Sequence, residues 1–273
     1  MPSKAPHPGY VRLEIEGAMA TVSFDWPEKL NALDMGVMAE LNQVLDRIES
    51  DGEIRVVIFT GVGRAFVAGG DIADLGSRGA LAHYAEFAET IHRLLRRIEL
   101  LDKPTIGAIN GFALGGGTEL LLTFDLRLLS DKARLGLPEI NLGLFPGAGG
   151  TQRIMRQVAP CHAREIMFLG ELIGPDDAVR IGLANRVVPH DQLMDEARAM
   201  AAKLATKSPL ILKLLKRTLT DGSEMPLGAA LRHEQAMIGL VLDSRDAHEG
   251  CAAFLEKTPR RFQGSLGNGR CRH

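Results

Sequence analysis

The run Arg55-Val56-Val57-Ile58-Phe59-Thr60 constrains the fold more than any other stretch of this chain. It is apolar at consecutive positions, whereas a strand with one wet face alternates. Such a strand is buried on both faces, as in sheets covered by helices on either side. Residues 104–109 and 125–130 read as further strands, and a short pair at 11–15 and 20–24, turning at Glu16-Gly17, precedes them. Between the strands the apolar spacing becomes helical. Val37, Met38, Leu41, Val44, Leu45 and Ile48 predict a helix over 35–50 with Asp34 as its N-cap. Tyr84, Phe87, Ala88, Ile91, Leu94, Leu95 and Ile98 predict a long amphipathic helix over roughly 82–101. Strand, glycine-rich loop and helix thus recur over the first ~190 residues, which argues for an α/β core with largely parallel pairing. From Gln192 onward only helices are expected, at 194–207, 210–219, 227–242 and 247–256.

These signals divide the chain into an arm at 1–10 with three prolines, a core at 11–195, a helical region at 196–263 and a Gly/Arg-rich tail at 264–273. No apolar run approaches the ~18 residues of a membrane span. A net charge of −2 provides no basic footprint, so neither nucleic acid nor membrane is an expected partner. Cys161, Cys251 and Cys271 lie far apart without a CxxC pair, so no disulfide framework or metal site is expected, and the chain reads as cytoplasmic.

Three glycine-rich loops carry the chemistry. The first is Gly61-Val62-Gly63 through Gly69-Gly70-Asp71-Ile72, and Phe66 stands where a dinucleotide fingerprint needs its third glycine. The second, Gly115-Gly116-Gly117-Thr118-Glu119, leads from a strand into a helix, with free N–H groups at the helix start and a carboxylate in the first turn. Alone it also fits a tight turn with a dipole-complementing glutamate. The third, residues 135–150, carries Glu139 after Leu137-Pro138. No phosphate-binding lysine follows any of them, His233-Glu234 lacks the second histidine of a metalloprotease helix, and 75–79 is no nucleophile elbow. Two loops can each donate a backbone N–H to one carbonyl oxygen, and two carboxylates can flank the adjacent carbons. That set suits stabilising an enolate and moving protons around it.

Six segments in order resemble the crotonase (enoyl-CoA hydratase/isomerase) superfamily over nearly the whole chain. They are residues 27–33, 63–72, 109–119, 137–143, 146–153 and 249–257. The resemblance implies an α/β fold, a spiral of ββα turns with a C-terminal helical trimerisation region, assembled as a homotrimer or a homohexamer. It implies an acyl-CoA thioester substrate and no cofactor beyond the coenzyme A of that substrate. Carried over residue by residue, the N–H groups of Gly70 and Gly116 hold the thioester oxygen. Glu119 and Glu139 hold a water, Glu139 being the proton donor to Cα, and Gly147 orients Glu139. The coenzyme A lies along Lys29, Leu30, Ala32, Ala68, Gly69, Asp71 and Ile72, with Phe254 and Lys257 reaching its nucleotide end. Ala73 departs from the lysine of some hydratases, which removes one nucleotide contact. Asp125 and Arg127 match the family but read as structural pairing.

Acids at both glutamate positions favour hydration of a trans-2-enoyl-CoA to a 3-hydroxyacyl-CoA. A Δ3-Δ2 isomerase or a hydratase of a specialised acyl-CoA is the nearest alternative, and a non-catalytic acyl-CoA- or RNA-binding scaffold is the alternative of another class. Retention of both carboxylates and the near-neutral charge weigh against the scaffold. The acyl wall is expected from residues 75–88 and 143–145.

Overall fold

The computed structural model describes residues 9–77, 79–260, 262 and 264, so most of the expected arm and tail lie outside the described residues. β1 (Val11–Glu16) and β2 (Met19–Phe24) pair antiparallel. α1 (Met35–Ser50) follows, and the Asp34 carboxylate accepts the Val37 N–H at 2.8 Å as its N-cap. The six apolar side chains of its expected stripe are all buried, each contributing about 1.5–3 kcal/mol of transfer free energy.

The chain then winds as a spiral. β3 (Val56–Gly61) joins a large sheet, and β4 (Ala65–Val67) turns into a small one. After them come α2 (Ile72–Ser77), α3 (Ala80–Ala82), a π-helical stretch at His83–Ala88 and α4 (Glu89–Glu99). The second turn is β5 (Thr105–Ile109), β6 (Phe112–Leu114) and α5 (Gly116–Leu121). The third is β7 (Leu126–Ser130), β8 (Arg134–Gly136), a 3-10 turn at Pro138–Leu142, α6 (Gly150–Gln157), α7 (Pro160–Leu169) and α8 (Pro175–Arg180). β9 (Arg186–Val188) closes the large sheet in the order β1-β2-β3-β5-β7-β9, parallel from β2 onward; the small sheet is β4-β6-β8, all parallel. α9 (Leu193–Ala205), α10 (Pro209–Ser223), α11 (Leu227–Leu242) and α12 (Arg245–Glu256) end the chain.

β3 is buried on both faces, as its pattern requires. Val57 and Phe59 enter the main core, while Val56 and Ile58 meet Ile106, Ala108 and Leu128 beneath Leu193, Ala197 and Ala201 of α9. α9, which runs across the expected boundary at 195/196, thus packs its buried face on this sheet. The long helix expected over 82–101 is interrupted, because the wider π turn rotates its register. Tyr84 consequently stands 74% exposed, while Phe87, Ile91, Leu94, Leu95 and Ile98 keep their buried stripe. Tyr10 is not loose: its ring packs 4.6 Å from Trp26 and its carbonyl accepts the Asp25 N–H at 2.8 Å. At the other end the Gly264 N–H donates to Asp246 at 2.8 Å. Asp125 does pair structurally, accepting from Lys216 of α10 at 2.7 Å and from the Thr105 N–H at 2.7 Å. Among the described residues no helix is long and apolar enough to cross a membrane.

Candidate active site

All three chemical loops leave the C-terminal ends of the small sheet. Residues 68–71 follow β4, Gly115 follows β6, and Leu137-Pro138-Glu139 follows β8. Three-residue strands in parallel register therefore bring together segments far apart in sequence. The β6–α5 junction is locked to β8 by the Gly115 N–H on Gly136 O at 2.9 Å. The Thr118 hydroxyl adds contacts with Ala113 O at 2.6 Å and Gly136 O at 2.9 Å. Gly117 is required by close approach, since a Cβ there would lie 1.8 Å from Val67 O of β4.

That approach sets two backbone amides side by side. A Cβ on Gly116 would sit 3.6 Å from the Gly70 nitrogen, and one on Gly69 would sit 4.0 Å from the Gly116 nitrogen. Neither the Gly70 N–H nor the Gly116 N–H donates a hydrogen bond among the described residues. Both are available to a single oxygen at the head of a helix.

The expected coenzyme A segments also meet. The Ala68 N–H donates to Leu30 O at 3.0 Å, the Leu33 N–H to Gly69 O at 2.8 Å and the Asp71 N–H to Leu33 O at 3.2 Å. Lys29 forms an ion pair with Asp71 at 3.2 Å and lies over the Trp26 ring. Ala32 is buried in this junction, and Ile72 is exposed at its rim. Leu30 and Asn31 are both left-handed, with φ of 52° and 59°. Asn31 stabilises that strained turn (~1–3 kcal/mol per residue in such a conformation) by accepting the Trp26 N–H and donating to Val62 O, Ala65 O and Phe66 O. Phe254 and Lys257 sit apart on the exposed end of α12, and no hydrogen bond or ion pair joins Lys257 to these segments among the described residues. The Ala73 side chain lies outside the described residues.

The two carboxylates are held differently. Glu119 is buried in α5, and its Oε1 accepts the Ala148 and Gly150 N–H groups, each at 2.7 Å. Burial raises its pKa, opposed by these two amides and by the positive charge of Arg153. Glu139 opens the 3-10 turn, its Oε1 only 2.9 Å from where a Cβ on Gly115 would be, a residue at φ +51°. Its Oε2 is buried and has no partner among the described residues. Burial pushes its pKa up to about 7, with its own backbone amide acting against this and the charge of Glu119 adding to it. Gly147, expected to steady Glu139, makes no hydrogen bond to it among the described residues. The loop presents its N–H groups to Glu119 instead, because the turn into α6 points the amides of residues 148 and 150 toward α5.

A profile of the enoyl-CoA hydratase/isomerase family matches residues 14–265. The chain belongs to that family. Among curated relatives, it is 39% identical to the short-chain-enoyl-CoA hydratase of Clostridium acetobutylicum over 255 residues, covering 93% of this chain and 97% of the relative. It is 37% identical to the 2,3-dehydroadipyl-CoA hydratase of Escherichia coli over 238 residues, covering 87% and 92%. Its fold superimposes on the crystal structure of an enoyl-CoA hydratase from Bacillus anthracis with a TM-score of 0.90 at 33% identity, covering 94% and 100% of the two chains. This family member is therefore an enzyme with the crotonase fold, the ββα spiral expected from its motifs. Sequence reasoning missed the N–H groups of Ala148 and Gly150, the clamp made by Asn31, and Arg153 with its partner Glu99. The segment 146–153 was matched as a motif, but nothing local in it reveals that its amides reach back 29 and 31 residues to Glu119.

Proposed function

We propose that this enzyme adds water reversibly across the double bond of a trans-2-enoyl-CoA, giving a 3-hydroxyacyl-CoA. The observation that carries the proposal is the unequal pair of glutamates, Glu119 buried and Glu139 half-buried, beside two free backbone amides. The Gly70 and Gly116 N–H groups receive the thioester oxygen and stabilise the enolate as charge moves onto it; a fixed donor of this kind is worth ~10²–10³-fold in rate. Glu119 takes the ionised role in this cycle: burial raises its pKa, and the two N–H groups on its Oε1 and the charge of Arg153 oppose that rise. Glu139, with Oε2 unpartnered, carries the proton near pH 7. A water held between them adds through its oxygen to Cβ and gives its proton to Glu119, while Glu139 delivers its proton to Cα. The carboxylates then exchange a proton through the next water, and the cycle is reset.

The segments at 29–33 and 68–72 hold the coenzyme A, the Lys29–Asp71 pair marking where its path crosses them. Relatives of nearly equal identity are named for different acyl groups, so overall similarity leaves the acyl preference open. Loss of the conjugated thioester absorbance of crotonyl-CoA on mixing with pure protein tests the reaction, and a chain-length panel extends the test. Absence of turnover across that panel would refute it.

The same protein is proposed to act as a homotrimer or a dimer of trimers. α11 buries none of its residues within the chain, and Leu227, Leu231, Leu242, Phe254 and Leu255 are exposed on α11 and α12. An apolar surface of this kind calls for a partner copy. The solution mass by light scattering checks this; a monomer at micromolar concentration would contradict it.

A further inference from the structure

The loop at residues 146–150 holds Glu119, yet the loop itself is irregular. Gly149 is left-handed at φ +98°, no side chain caps the start of α6, and Gly147 makes no hydrogen bond among the described residues. Besides Glu119 itself, Arg153 holds its backbone. Arg153 Nη1 donates to Ala148 O at 3.1 Å, on the residue whose N–H donates to Glu119. The remaining arms of that guanidinium reach Glu99 of α4, Nε to Oε1 at 3.4 Å and Nη2 to Oε2 at 3.2 Å. Both side chains are largely buried, at 13% and 21% exposure. Glu99 is steadied in turn by Arg96 at 3.0 Å, which also pairs with Glu224 at 2.8 Å. A cation near the N-terminus of α6 opposes the helix dipole, so the stability of α6 does not account for Arg153 being there.

We propose that Arg153, oriented by Glu99, is a positioning residue for Glu119: it fixes the Ala148 peptide so that the loop amides hold Oε1 in one place. This deepens the hydratase reading and rests on Glu119 handling the water. The tolerance is small, since a Cβ on Gly150 would already be 2.8 Å from Glu119 Cγ. Arg153 also supplies positive charge to Glu119. The groups around this corner are Glu119 of α5, Glu139 of the 3-10 turn, Arg153 of α6, Glu99 of α4 and, beside Gly149, His92 of α4.

The test is steady-state hydration by the full-length enzyme and its Arg153→Met, Arg153→Lys and Glu99→Gln variants across pH, with Glu119→Gln in parallel. Arg153→Met is expected to lower kcat by up to about 10²-fold, the scale of a misplaced catalytic group, with KM within a few-fold. Its acid limb should move to higher pH, because Glu119 loses a charge that favours its ionised form. Arg153→Lys should restore the acid limb while recovering kcat only in part, since lysine lacks the fork. Glu99→Gln should fall between Arg153→Met and wild type. An Arg153→Met enzyme with wild-type kcat and pH profile overturns the proposal. So does an Arg153→Lys enzyme that melts as wild type yet keeps both the kcat and the displaced acid limb of Arg153→Met. If Glu119→Gln itself keeps the wild-type rate, or wild type turns over no enoyl-CoA, the reading of Glu119 fails and the proposal falls with it; if Glu119→Gln is inactive and Arg153→Met is normal, only the positioning role fails.

Discussion

Two loops flank the small sheet and treat their carboxylates in opposite ways. At 146–150 the backbone closes on Glu119, donating two amides to one oxygen and backing them with Arg153 and Glu99. At Pro138–Leu142 nothing among the described residues donates to Glu139 Oε2, and burial is the largest influence on its pKa, ahead of its own backbone amide and the charge of Glu119. Donors to a carboxylate favour its ionised form, and burial favours its neutral form. The same side-chain chemistry thus meets two different surroundings, and the proposed base and acid roles rest on where two turns point their N–H groups.

The strongest way to break this comparison is Glu139→Gln. Loss of the proton donor should lower kcat by ~10²–10⁴-fold, while binding of a CoA ester, measured by calorimetry, stays within a few-fold. A wild-type rate would show that Glu139 is no acid. Gly150→Ala and Gly115→Ala sharpen it by disturbing one carboxylate each. The new methyl groups would lie 2.8 Å from Glu119 Cγ and 2.9 Å from Glu139 Oε1, displacements that cost ~10²-fold in rate. Gly150→Ala should shift the acid limb of the pH profile and Gly115→Ala the basic limb. A shift of the same limb by both would erase the distinction.

The smallest effect is thermodynamic. Glu139 has its folded pKa raised from 4.5 to about 7, so the native state binds more protons than the unfolded chain between those values. Stability from this site is therefore fully present below 4.5 and lost as pH rises through about 7. Glu139→Gln should then be more stable than wild type above pH 7 by ~1–2 kcal/mol, discounted for partial exposure, with the gain vanishing in acid. Melting temperatures of the two proteins across pH measure it.

Much of the scaffold was legible because its signals are local. Asp34 capping α1, the stripe from Val37 to Ile48, and a β3 apolar on both faces each need only neighbouring residues to be read. The helices from α9 to α12 were readable for the same reason. Where locality failed, the reading failed with it. β4, β6 and β8 are three residues each, embedded in segments that read as loops, and they become strands only by pairing with one another. The π turn at His83–Ala88 hides in a continuous helical stripe, since an inserted residue changes facing without changing composition.

The sequence by itself determined the class of fold, the family, and which residue types stand at the heads of three loops. Periodicity, caps and motif spacing are properties of short stretches, and Gly70, Gly116, Glu119 and Glu139 were identified from them by resemblance. Tertiary structure alone decided how those residues differ from one another. The parallel register of the small sheet set the Gly70 and Gly116 amides side by side. The turn into α6 directed its N–H groups to Glu119 rather than Glu139. A carboxylate's charge depends on the donors and solvent around it, and those arrive from across the fold.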